Sequence, residues 1–374
     1  MKVIIFKPVE ICNSNCIYCD VVKKGSHAIM SYQLLELVFS RFNEFLECHP
    51  DESLQLIWHG GEPCLLGVDY FKKAIEIQNR ICKNTKTRIE HAIQSNLTLI
   101  SQEFLEVFRK LGIEMIGTSY EPIPHMRGPG ENRDSEQYNR KFLEGIRLLE
   151  KNNFNWGVIY VITRKSLDKP LDIFYFLTNF KLNVAPCLNP VKIFDKDVHN
   201  LAISPHEIAD WLGTIYQVWY KHRDRFPHVR PFQSLTESIE NKKFSLGCED
   251  SGHCAYNWIY IGPEGKTSHC GRSGDYDLLA YGNIRDKTLD EIFNDKQRDL
   301  INNRSKILPE TECKECRFWG LCHGGCPLDA YMKHKDFNHR YPNCEARKIL
   351  FEKYIEPVTG IKADFRYTSE LEKN

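Results

Sequence analysis

The sequence predicts an α/β protein in which a partial (β/α)6 barrel, similar in plan to a TIM barrel, precedes a cysteine-rich C-terminal domain. Residues 1 to about 190 alternate apolar runs with amphipathic helical patterns, which favours a parallel sheet with crossover helices. The runs are apolar along most of their length, as parallel strands buried on both faces are. There are six such units, fewer than the eight of a closed barrel, and after residue 245 a cysteine-dense region replaces them.

The six predicted strands are short apolar runs that cover residues 3–6, 54–58, 89–93, 114–118, 157–162 and 182–187. The predicted helices between them carry apolar residues on one stripe and cover residues 34–46, 68–81, 101–111, 138–151 and 170–180. In barrels of parallel strands the functional groups lie at the carboxyl ends of the strands. The segment after each strand is therefore where site residues are expected.

The composition divides the chain into four regions. The barrel is predicted over residues 1–200, and a bridging helical segment over 201–244, where Ser204, Pro205 and Glu207 form the pattern of a helix N-terminus. The cysteine-rich domain is predicted over 245–350 and a C-terminal tail over 351–374. A chain of 374 residues can bury a large core without disulfides, so its 15 cysteines need another explanation.

The charge of the chain gives no sign of a nucleic-acid or membrane partner. The formal net charge is zero, so a strongly basic face is not expected. The N-terminal segment lacks the apolar core and cleavage site of a signal peptide, and no later stretch is apolar enough to span a bilayer. We therefore expect a cytoplasmic protein without nucleic-acid or membrane partners, in which cysteines bind metal.

Eleven cysteines fall into two groups. Cys12, Cys16 and Cys19 follow the first predicted strand with the spacing C-x3-C-x2-C, which is one thiolate short of a closed four-ligand site. Two zinc ribbons are one interpretation of the second group. Its irregular gaps favour iron–sulfur clusters instead, because a cube of four irons offers four separate ligand positions. This group has eight members: Cys248, Cys254, Cys270, Cys313, Cys316, Cys322, Cys326 and Cys344.

The loop CNSNCIYC (12–19) resembles the cluster-binding signature of the radical S-adenosylmethionine (SAM) enzymes. HGGEP (59–63) resembles the Gly-Gly-Glu-Pro motif of the same superfamily, and residues 254–344 resemble its SPASM extension in their cysteine spacing. The resemblance implies three [4Fe–4S] clusters. The one at the three-cysteine loop has an open iron that binds SAM, and an electron from it cleaves SAM to a 5′-deoxyadenosyl radical that abstracts hydrogen from a substrate.

The resemblance also implies which residues hold these groups. Contacts to SAM are expected from Gly60, Gly61, Glu62, Pro63, Gln94, Ser95, Asn96, Ser119 and Arg127, with Arg133 as the alternative arginine. One auxiliary cluster is expected at Cys248, Cys254, Cys270 and Cys326, and the other at Cys313, Cys316, Cys322 and Cys344. Full thiolate ligation leaves these two clusters without an open iron, so electron transfer is their expected role.

The sequence does not assign a catalytic base. His59, Glu121 and Cys187 are candidates because they lie at or just after the carboxyl ends of predicted strands, and Cys64 shares that placement. A structural polar contact is the alternative role of His59 and Glu121. The two cysteines within helical patterns are expected to be small core residues: Cys48 and Cys82.

By layout the chain resembles anaerobic sulfatase maturases, which oxidise a Cys or Ser side chain to formylglycine, and the maturases of ribosomally made peptides. Three departures argue against formylglycine formation. Gly271 stands where those maturases have a catalytic Asp, SYEPI (119–123) replaces their Met-Asp-Gly-Pro, and DVV (20–22) stands where a Tyr is expected. We therefore predict a radical SAM/SPASM peptide maturase that makes an oxidative cross-link or a similar modification in a precursor peptide.

Three alternatives stay open. The chain forms formylglycine after all, or it is a radical SAM dehydrogenase of a small molecule, or it is a non-catalytic iron–sulfur electron carrier. The predicted partners of the maturase are the precursor peptide and an external electron donor such as flavodoxin or ferredoxin.

Overall fold

A computed structural model describes residues 1–19, 26–180, 184–192, 196–226, 228–252 and 254–366. The chain divides into two compact units. The first contains residues 1–158 and 256–298, and the second contains residues 159–255 and 299–374. The chain thus enters the first unit twice, and the predicted boundary at residue 245 coincides with neither limit.

The strands are β1 (Lys2–Val9), β2 (Leu54–Gly60), β3 (Ile89–Gln94), β4 (Ile113–Ser119), β5 (Asn155–Ile162), β6 (Cys187–Pro190), β7 (Trp258–Ile261), β8 (Lys266–Ser268) and β9 (Ala280–Asn283). The first helices are α1 (Tyr32–Cys48), α2 (Val68–Ile81), α3 (Gln102–Leu111), α4 (Ser135–Lys151), α5 (Pro170–Thr178), α6 (Pro205–Lys221), α7 (Phe232–Asn241) and α8 (Cys254–Asn257).

The later helices are short: α9 (Gly271–Asp275), α10 (Leu289–Phe293), α11 (Asp299–Asn302), α12 (Arg304–Glu310), α13 (Trp319–Cys322), α14 (Pro327–His334), α15 (Cys344–Ile349) and α16 (Glu356–Thr359). The segments Pro63–Leu66, Lys86–Arg88, Arg164–Ser166, Lys196–Leu201 and Lys296–Arg298 are 3-10 helices, and Leu350–Ile355 is a π-helix.

In the first unit the parallel sheet is confirmed. Strands β1 to β4 pair in parallel in chain order, and a helix follows each strand. Trp58 of β2 contacts Phe6 of β1 and Phe71 of α2, with ring centroids 5.0 and 5.1 Å apart. One face of the sheet is thus packed against helices. Because side chains alternate along a strand, the neighbouring residues Lys7 and His59 lie on the other face.

Strands β7, β8 and β9 belong to the first unit and were not predicted. β7 pairs in parallel with β1 over Val3–Phe6, on the edge opposite β2. β8 and β9 follow as antiparallel neighbours. The sheet of this unit therefore has the order β4-β3-β2-β1-β7-β8-β9, and a parallel barrel sheet continues into an antiparallel ribbon.

In the second unit, the residues of β5 from Ile159 onward pair in parallel with β6. The prediction of the sixth strand at 182–187 was wrong, because the strand begins at Cys187, where the predicted run ends. Pro186 has no backbone N–H for a sheet, which accounts for a strand that starts after it. Residues 182 and 183 of that run lie outside the described residues.

The predicted start of α6 is confirmed, with a capping box between Ser204 and Glu207 and Pro205 in the first turn. In the predicted tail, Phe351, Ile355 and Phe365 are buried. Phe365 also exchanges backbone hydrogen bonds with the segment Arg317–Gly320. No helix in the described ranges is long and apolar enough to cross a membrane.

Candidate active site

Cys12, Cys16 and Cys19 lie in the loop that follows β1, and each is partly buried. The Cys19 N–H donates to the Cys16 carbonyl at 3.0 Å, which closes a turn between two of the thiols. Burial raises the pKa of Cys12 to about 12, and the negative charges of Glu62, Cys16 and Cys19 add to this effect. A buried Cys12 thiol whose ionisation is disfavoured in this way fits a cationic iron centre, because such a centre stabilises the thiolate.

A segment after β4 holds this loop in place. The N–H groups of Asn15 and Ile17 donate to the carbonyls of Gly128 and Met126 at 2.8 and 3.0 Å. In return the Gly128 N–H donates to the Ser14 hydroxyl at 3.2 Å. The loop backbone is therefore fixed by hydrogen bonds before any cofactor contributes. Asp20, Val21 and Val22, which stand where a Tyr is expected, lie outside the described residues.

Tyr18, Glu121 and Arg127 form a buried polar network beside Cys16. The Tyr18 hydroxyl donates to Glu121 Oε2 at 2.7 Å, and Arg127 Nε donates to the same oxygen at 2.5 Å. Arg127 Nη2 donates to the Tyr18 hydroxyl, and Nη1 lies 3.6 Å from Cys16 Sγ. Glu121, a candidate base, and Arg127, a candidate SAM contact, are thus paired with each other. This network places a guanidinium next to Cys16, a predicted cluster ligand.

The glycines of the HGGEP motif let the end of β2 approach the start of the cysteine loop. A Cβ on Gly60, whose φ is +139°, would lie 2.0 Å from the Val9 carbonyl oxygen. A Cβ on Gly61 would lie 2.2 Å from the Ile11 carbonyl oxygen. The Gly61 N–H donates to Val9 at 3.1 Å, which is the contact that this closeness permits. The contacts that require glycine here come from the chain itself.

Glu62 connects three segments at this edge. Its buried carboxylate accepts hydrogen bonds from the Asn96 N–H at 2.7 Å, the Ser95 hydroxyl at 2.8 Å and the Cys64 N–H at 3.0 Å. Asn96 in turn donates to the Asn13 side chain at 2.8 Å, and its amide lies 4.0 Å from Cys12 Sγ. The predicted site residues after β2 and β3 therefore meet the cysteine loop. Burial raises the pKa of Glu62 above its ordinary value, and the hydrogen bonds oppose that effect.

Gln94 and Ser119 lie together at the carboxyl ends of β3 and β4. The Gln94 amide donates to the Ser119 hydroxyl at 3.3 Å, and both side chains are partly exposed. Gly117 has no side chain to obstruct Gln94, whose Oε1 would lie 2.1 Å from a Cβ at position 117. Two further predicted SAM contacts are thereby placed next to each other.

Lys7, which sequence reasoning missed, forms a buried ion pair with Asp275 on the face of the sheet that carries His59. The Lys7 Nζ lies 2.8 and 2.7 Å from the two carboxylate oxygens. Burial, followed by the Lys7 charge, lowers the pKa of His59 to about 3, so its imidazole is neutral. A Cβ at Gly271 would lie 3.7 Å from the Lys7 Nζ. A lysine inside an apolar strand is itself a signal of a buried partner, because Lys is almost never buried unpaired.

Within the second unit the thiols of Cys313, Cys316, Cys322 and Cys344 lie close enough to affect one another. Burial raises the pKa of Cys313 to about 12, and Cys316 and Cys344 add to the effect. Burial likewise raises the pKa of Cys322, with Cys344 among the contributing charges. These are the four cysteines expected to hold one auxiliary cluster.

In the other expected set, the charges of Cys254 and Cys326 both raise the pKa of the buried Arg304, against the effect of burial. Cys248 and Cys254 line the same small cavity. Cys270 lies in the first unit, directly before α9. No three His, Cys, Asp or Glu side chains in the described ranges converge on one point suited to a single metal ion.

The remaining cysteines have separate surroundings. Cys82 is buried and its thiol donates to the Phe39 carbonyl at 3.5 Å, so its expected core role is confirmed. The same expectation for Cys48 was wrong, because this last residue of α1 is exposed. Cys64 is buried 3.8 Å from the Ser95 hydroxyl.

Cys187 begins β6, so its expected place at the carboxyl end of a strand was wrong. It lines a cavity of about 570 Å³ in the second unit together with Arg230 and Cys248. Its thiol donates to Asn189 Oδ1 at 3.2 Å, and burial raises its pKa to about 11. A thiol that stays protonated is a poor nucleophile.

Comparisons with known proteins agree with this geometry. Residues 6–177 match the radical SAM superfamily, and residues 248–317 match SPASM, an iron–sulfur cluster-binding domain. The first match contains the cysteine loop and strands β2 to β4, and the second contains the C-terminal cysteines up to Cys316.

Among curated proteins, the chain is similar to a serine-type anaerobic sulfatase-maturating enzyme of Bacteroides thetaiotaomicron, with 26% identity over 89% of this chain and 84% of the relative. It is also similar to a cysteine-type anaerobic sulfatase-maturating enzyme of Clostridium novyi, with 26% identity over 95% of this chain and 96% of the relative. Both similarities extend over nearly the whole length.

Solved structures share the fold. The structure of anSMEcpe with bound AdoMet and Cp18Cys peptide covers 96% of this chain and 98% of its own, with a TM-score of 0.79 and 23% identity. That of Streptococcus suis SuiB bound to its precursor peptide SuiA covers 91% of this chain and 75% of its own, with a TM-score of 0.60 and 15% identity. The expected α/β class with a parallel sheet of this type is confirmed.

Proposed function

We propose, from the premise that the chain is a radical SAM enzyme with a C-terminal SPASM domain, that it oxidises a side chain of a peptide or protein substrate. The leading reaction is conversion of a Cys or Ser side chain to formylglycine. The observation that carries this choice is the similarity to sulfatase-maturating enzymes along almost the whole chain, through both the radical and the auxiliary regions.

The residues of the first unit fit the radical cofactors. Cys12, Cys16 and Cys19 would hold the first [4Fe–4S] cluster, and SAM would contact Gly60, Gly61, Glu62, Pro63, Gln94, Ser119 and Arg127. When bound, the three clusters and SAM supply a radical that takes a hydrogen atom from the substrate and an acceptor for the remaining electron. Glu62 and Asn96 orient the ends of β2 and β3 around this site, since their hydrogen bonds reach the cysteine loop.

The eight C-terminal cysteines would hold two auxiliary clusters, and a flavodoxin or ferredoxin would reduce the radical cluster. We propose that residues 1–200 form the barrel, residues 201–244 the bridging segment and residues 245–350 the SPASM domain. Full thiolate ligation suits these clusters to electron transfer, because it leaves no position for substrate. A net oxidation needs such an acceptor.

Loss of a hydrogen atom from the thiol-bearing carbon of a Cys side chain, followed by loss of one electron and of the thiol proton, would give a thioaldehyde. Water would then replace the sulfur, which leaves as hydrogen sulfide, and the product is the aldehyde. Gly271 has no side chain to accept the proton. Asp275 lies on the same short helix, but both of its carboxylate oxygens accept hydrogen bonds from the Lys7 Nζ. The departure at Gly271 from the sulfatase-maturase pattern is the reason to keep a second candidate, an oxidative cross-link in a ribosomally made precursor peptide.

Formylglycine formation and cross-linking can be distinguished by their products. Reconstituted, reduced enzyme is incubated with SAM and a sulfatase-derived peptide that carries Cys, with Ser and Ala versions as matched controls. We expect 5′-deoxyadenosine, and an aldehyde that a hydrazine reagent captures from the Cys or Ser peptide only. A triple Cys12→Ala, Cys16→Ala, Cys19→Ala variant is expected to give neither product.

The outcomes discriminate between the candidates. Formation of 5′-deoxyadenosine without aldehyde from either peptide would refute formylglycine formation. Loss of two hydrogens without an aldehyde, in a peptide encoded beside this gene, would support the cross-link. Absence of 5′-deoxyadenosine from an iron-replete wild type would refute both.

A further inference from the structure

Arg304, at the start of α12, occupies a position that the proposed function does not use. It lies within the second unit and is 4% exposed. Its Nη2 donates to the carbonyls of Gly324 and Gly325, both at 3.1 Å. Its Nη1 donates to the carbonyls of His339, at 2.6 Å, and Phe337. A guanidinium is thus surrounded by backbone oxygens of two loops.

One of these loops connects the two auxiliary cysteine sets. His323, Gly324 and Gly325 are the only residues between Cys322 and Cys326, which are assigned to different clusters. Arg304 holds two of the three carbonyls in this link. Any movement of the guanidinium therefore acts on a ligand of each cluster.

The positive charge of Arg304 interacts electrostatically with cysteines of both expected auxiliary clusters. Burial lowers the pKa of Arg304, and thiolates from both sets oppose this effect: Cys326, Cys254, Cys313 and Cys322. An arginine stays ionised even when buried. Within the described ranges no Asp or Glu forms an ion pair with it, so carbonyl dipoles and thiolates are what stabilise its charge.

We propose that Arg304 is a shared positive charge between the two auxiliary iron–sulfur clusters and that it raises the reduction potential of both. Each cluster becomes more negative when it gains an electron, and a fixed cation stabilises the more negative state. The surroundings are dry, so the interaction is screened less than at a surface. This inference rests on the two auxiliary clusters of the proposed function, not on the identity of the substrate.

Only arginine supplies the hydrogen-bond geometry seen here, but lysine can supply the same positive charge. Lysine keeps the charge and loses the planar fork that reaches four carbonyls, whereas glutamine and methionine lose the charge. The test therefore compares Arg304→Lys, Arg304→Gln and Arg304→Met. Arg88→Gln is the matched control, because Arg88 donates to four carbonyls of the first unit, those of Leu46, His49, Pro50 and Glu52.

The readout is the midpoint potential of the auxiliary clusters, measured by redox titration followed by electron paramagnetic resonance in protein whose radical-cluster cysteines are replaced by Ala. We expect Arg304→Gln and Arg304→Met to lower the reduction equilibrium constant of both clusters at least tenfold, which is 59 mV for a one-electron couple. Arg304→Lys and Arg88→Gln are expected to shift it less than threefold.

Unchanged potentials in the neutral variants, with full auxiliary iron, would overturn the proposal. If the neutral variants lose auxiliary iron while Arg304→Lys retains it, the positive charge is needed for the clusters to bind, and a role limited to their reduction potential is overturned. Loss of iron in Arg304→Lys as well would overturn it and leave a structural clamp. Wild type that binds no auxiliary iron would instead refute the proposed clusters, before any variant is compared.

Discussion

On strand β3, His91 is a buried imidazole between two hydrogen-bond partners. The Trp58 indole donates to its Nδ1 at 3.1 Å, and Gln78 lies 3.0 Å from its Nε2. Burial lowers the pKa of His91 to about 3, below the ordinary value of 6.5. Below pH 6.5 His91 is protonated in the unfolded chain but stays neutral in the folded chain. The free energy of unfolding therefore falls as the pH drops from 6.5 towards 3.

We expect His91→Gln to remove part of this acid sensitivity. Wild type should lose up to about 1.4 kcal/mol per pH unit relative to the variant in this window, since one proton is linked to unfolding. Urea unfolding at pH 7, 6 and 5 measures the difference, with the exposed His228→Gln as control. Parallel pH profiles of wild type and His91→Gln would contradict the prediction.

Single residues also show what a sequence can and cannot predict of a site. Cys12, Cys16 and Cys19 could be assigned because ligand spacing lies within one loop. Tyr18 and Lys7 acquire their partners from residues about 100 and 268 positions away. A buried polar group must be paired, but the sequence does not say with what.

At the level of elements, the first five strands were predicted because apolar runs and helical stripes are local signals. β6 begins later than predicted because Pro186 lacks a backbone N–H, so strand hydrogen bonding starts after it. The apolarity of the run does not indicate where that hydrogen bonding starts. β7 was missed because WIYI is only four residues long and lies among cysteines and glycine turns. Its parallel pairing with β1, more than 250 residues away, has no local signal.

The contact between the end of β2 and the cysteine loop gives a second prediction. Gly61→Ala should cost about 1–3 kcal/mol of stability, because the new methyl meets a backbone carbonyl that cannot rotate away. It should also reduce iron at the radical cluster, since Ile11 adjoins Cys12. Gly112→Ala is the control: its φ is +82°, so it is strained by about 1 kcal/mol, but nothing lies near its Cβ. Equal iron content in both variants would refute the coupling.

The ion pair between β1 and α9 gives a third. Lys7 and Asp275 are 2% and 6% exposed, so removal of either partner leaves a buried charge and should cost about 3–5 kcal/mol. The double variant Lys7→Met, Asp275→Leu removes both charges and should be clearly more stable than Lys7→Met or Asp275→Leu alone. A double-mutant cycle in urea tests this, and additive losses would show that the two groups do not interact.

For the molecule as a whole, the two-part first unit carries a prediction about fragments. Residues 1–200 include every predicted barrel strand, yet they omit β7, which covers one edge of β1 over Val3–Phe6. They also omit Asp275, the partner of Lys7. A fragment that ends at residue 200 therefore exposes an apolar strand edge, which is a template for aggregation, and a buried lysine without its counter-charge.

We expect this fragment to be insoluble, or soluble only as aggregates, and to bind no four-iron cluster after reconstitution. Size-exclusion chromatography and iron analysis against the full chain measure this. Adding residues 256–298 to the fragment through a flexible linker should restore monomeric protein, because it returns the edge strand and the carboxylate together. A monomeric, cluster-binding 1–200 fragment would show that the barrel folds without residues 256–298. The radical domain would then end at residue 200, as the sequence predicts, and would not include the second segment of the compact unit.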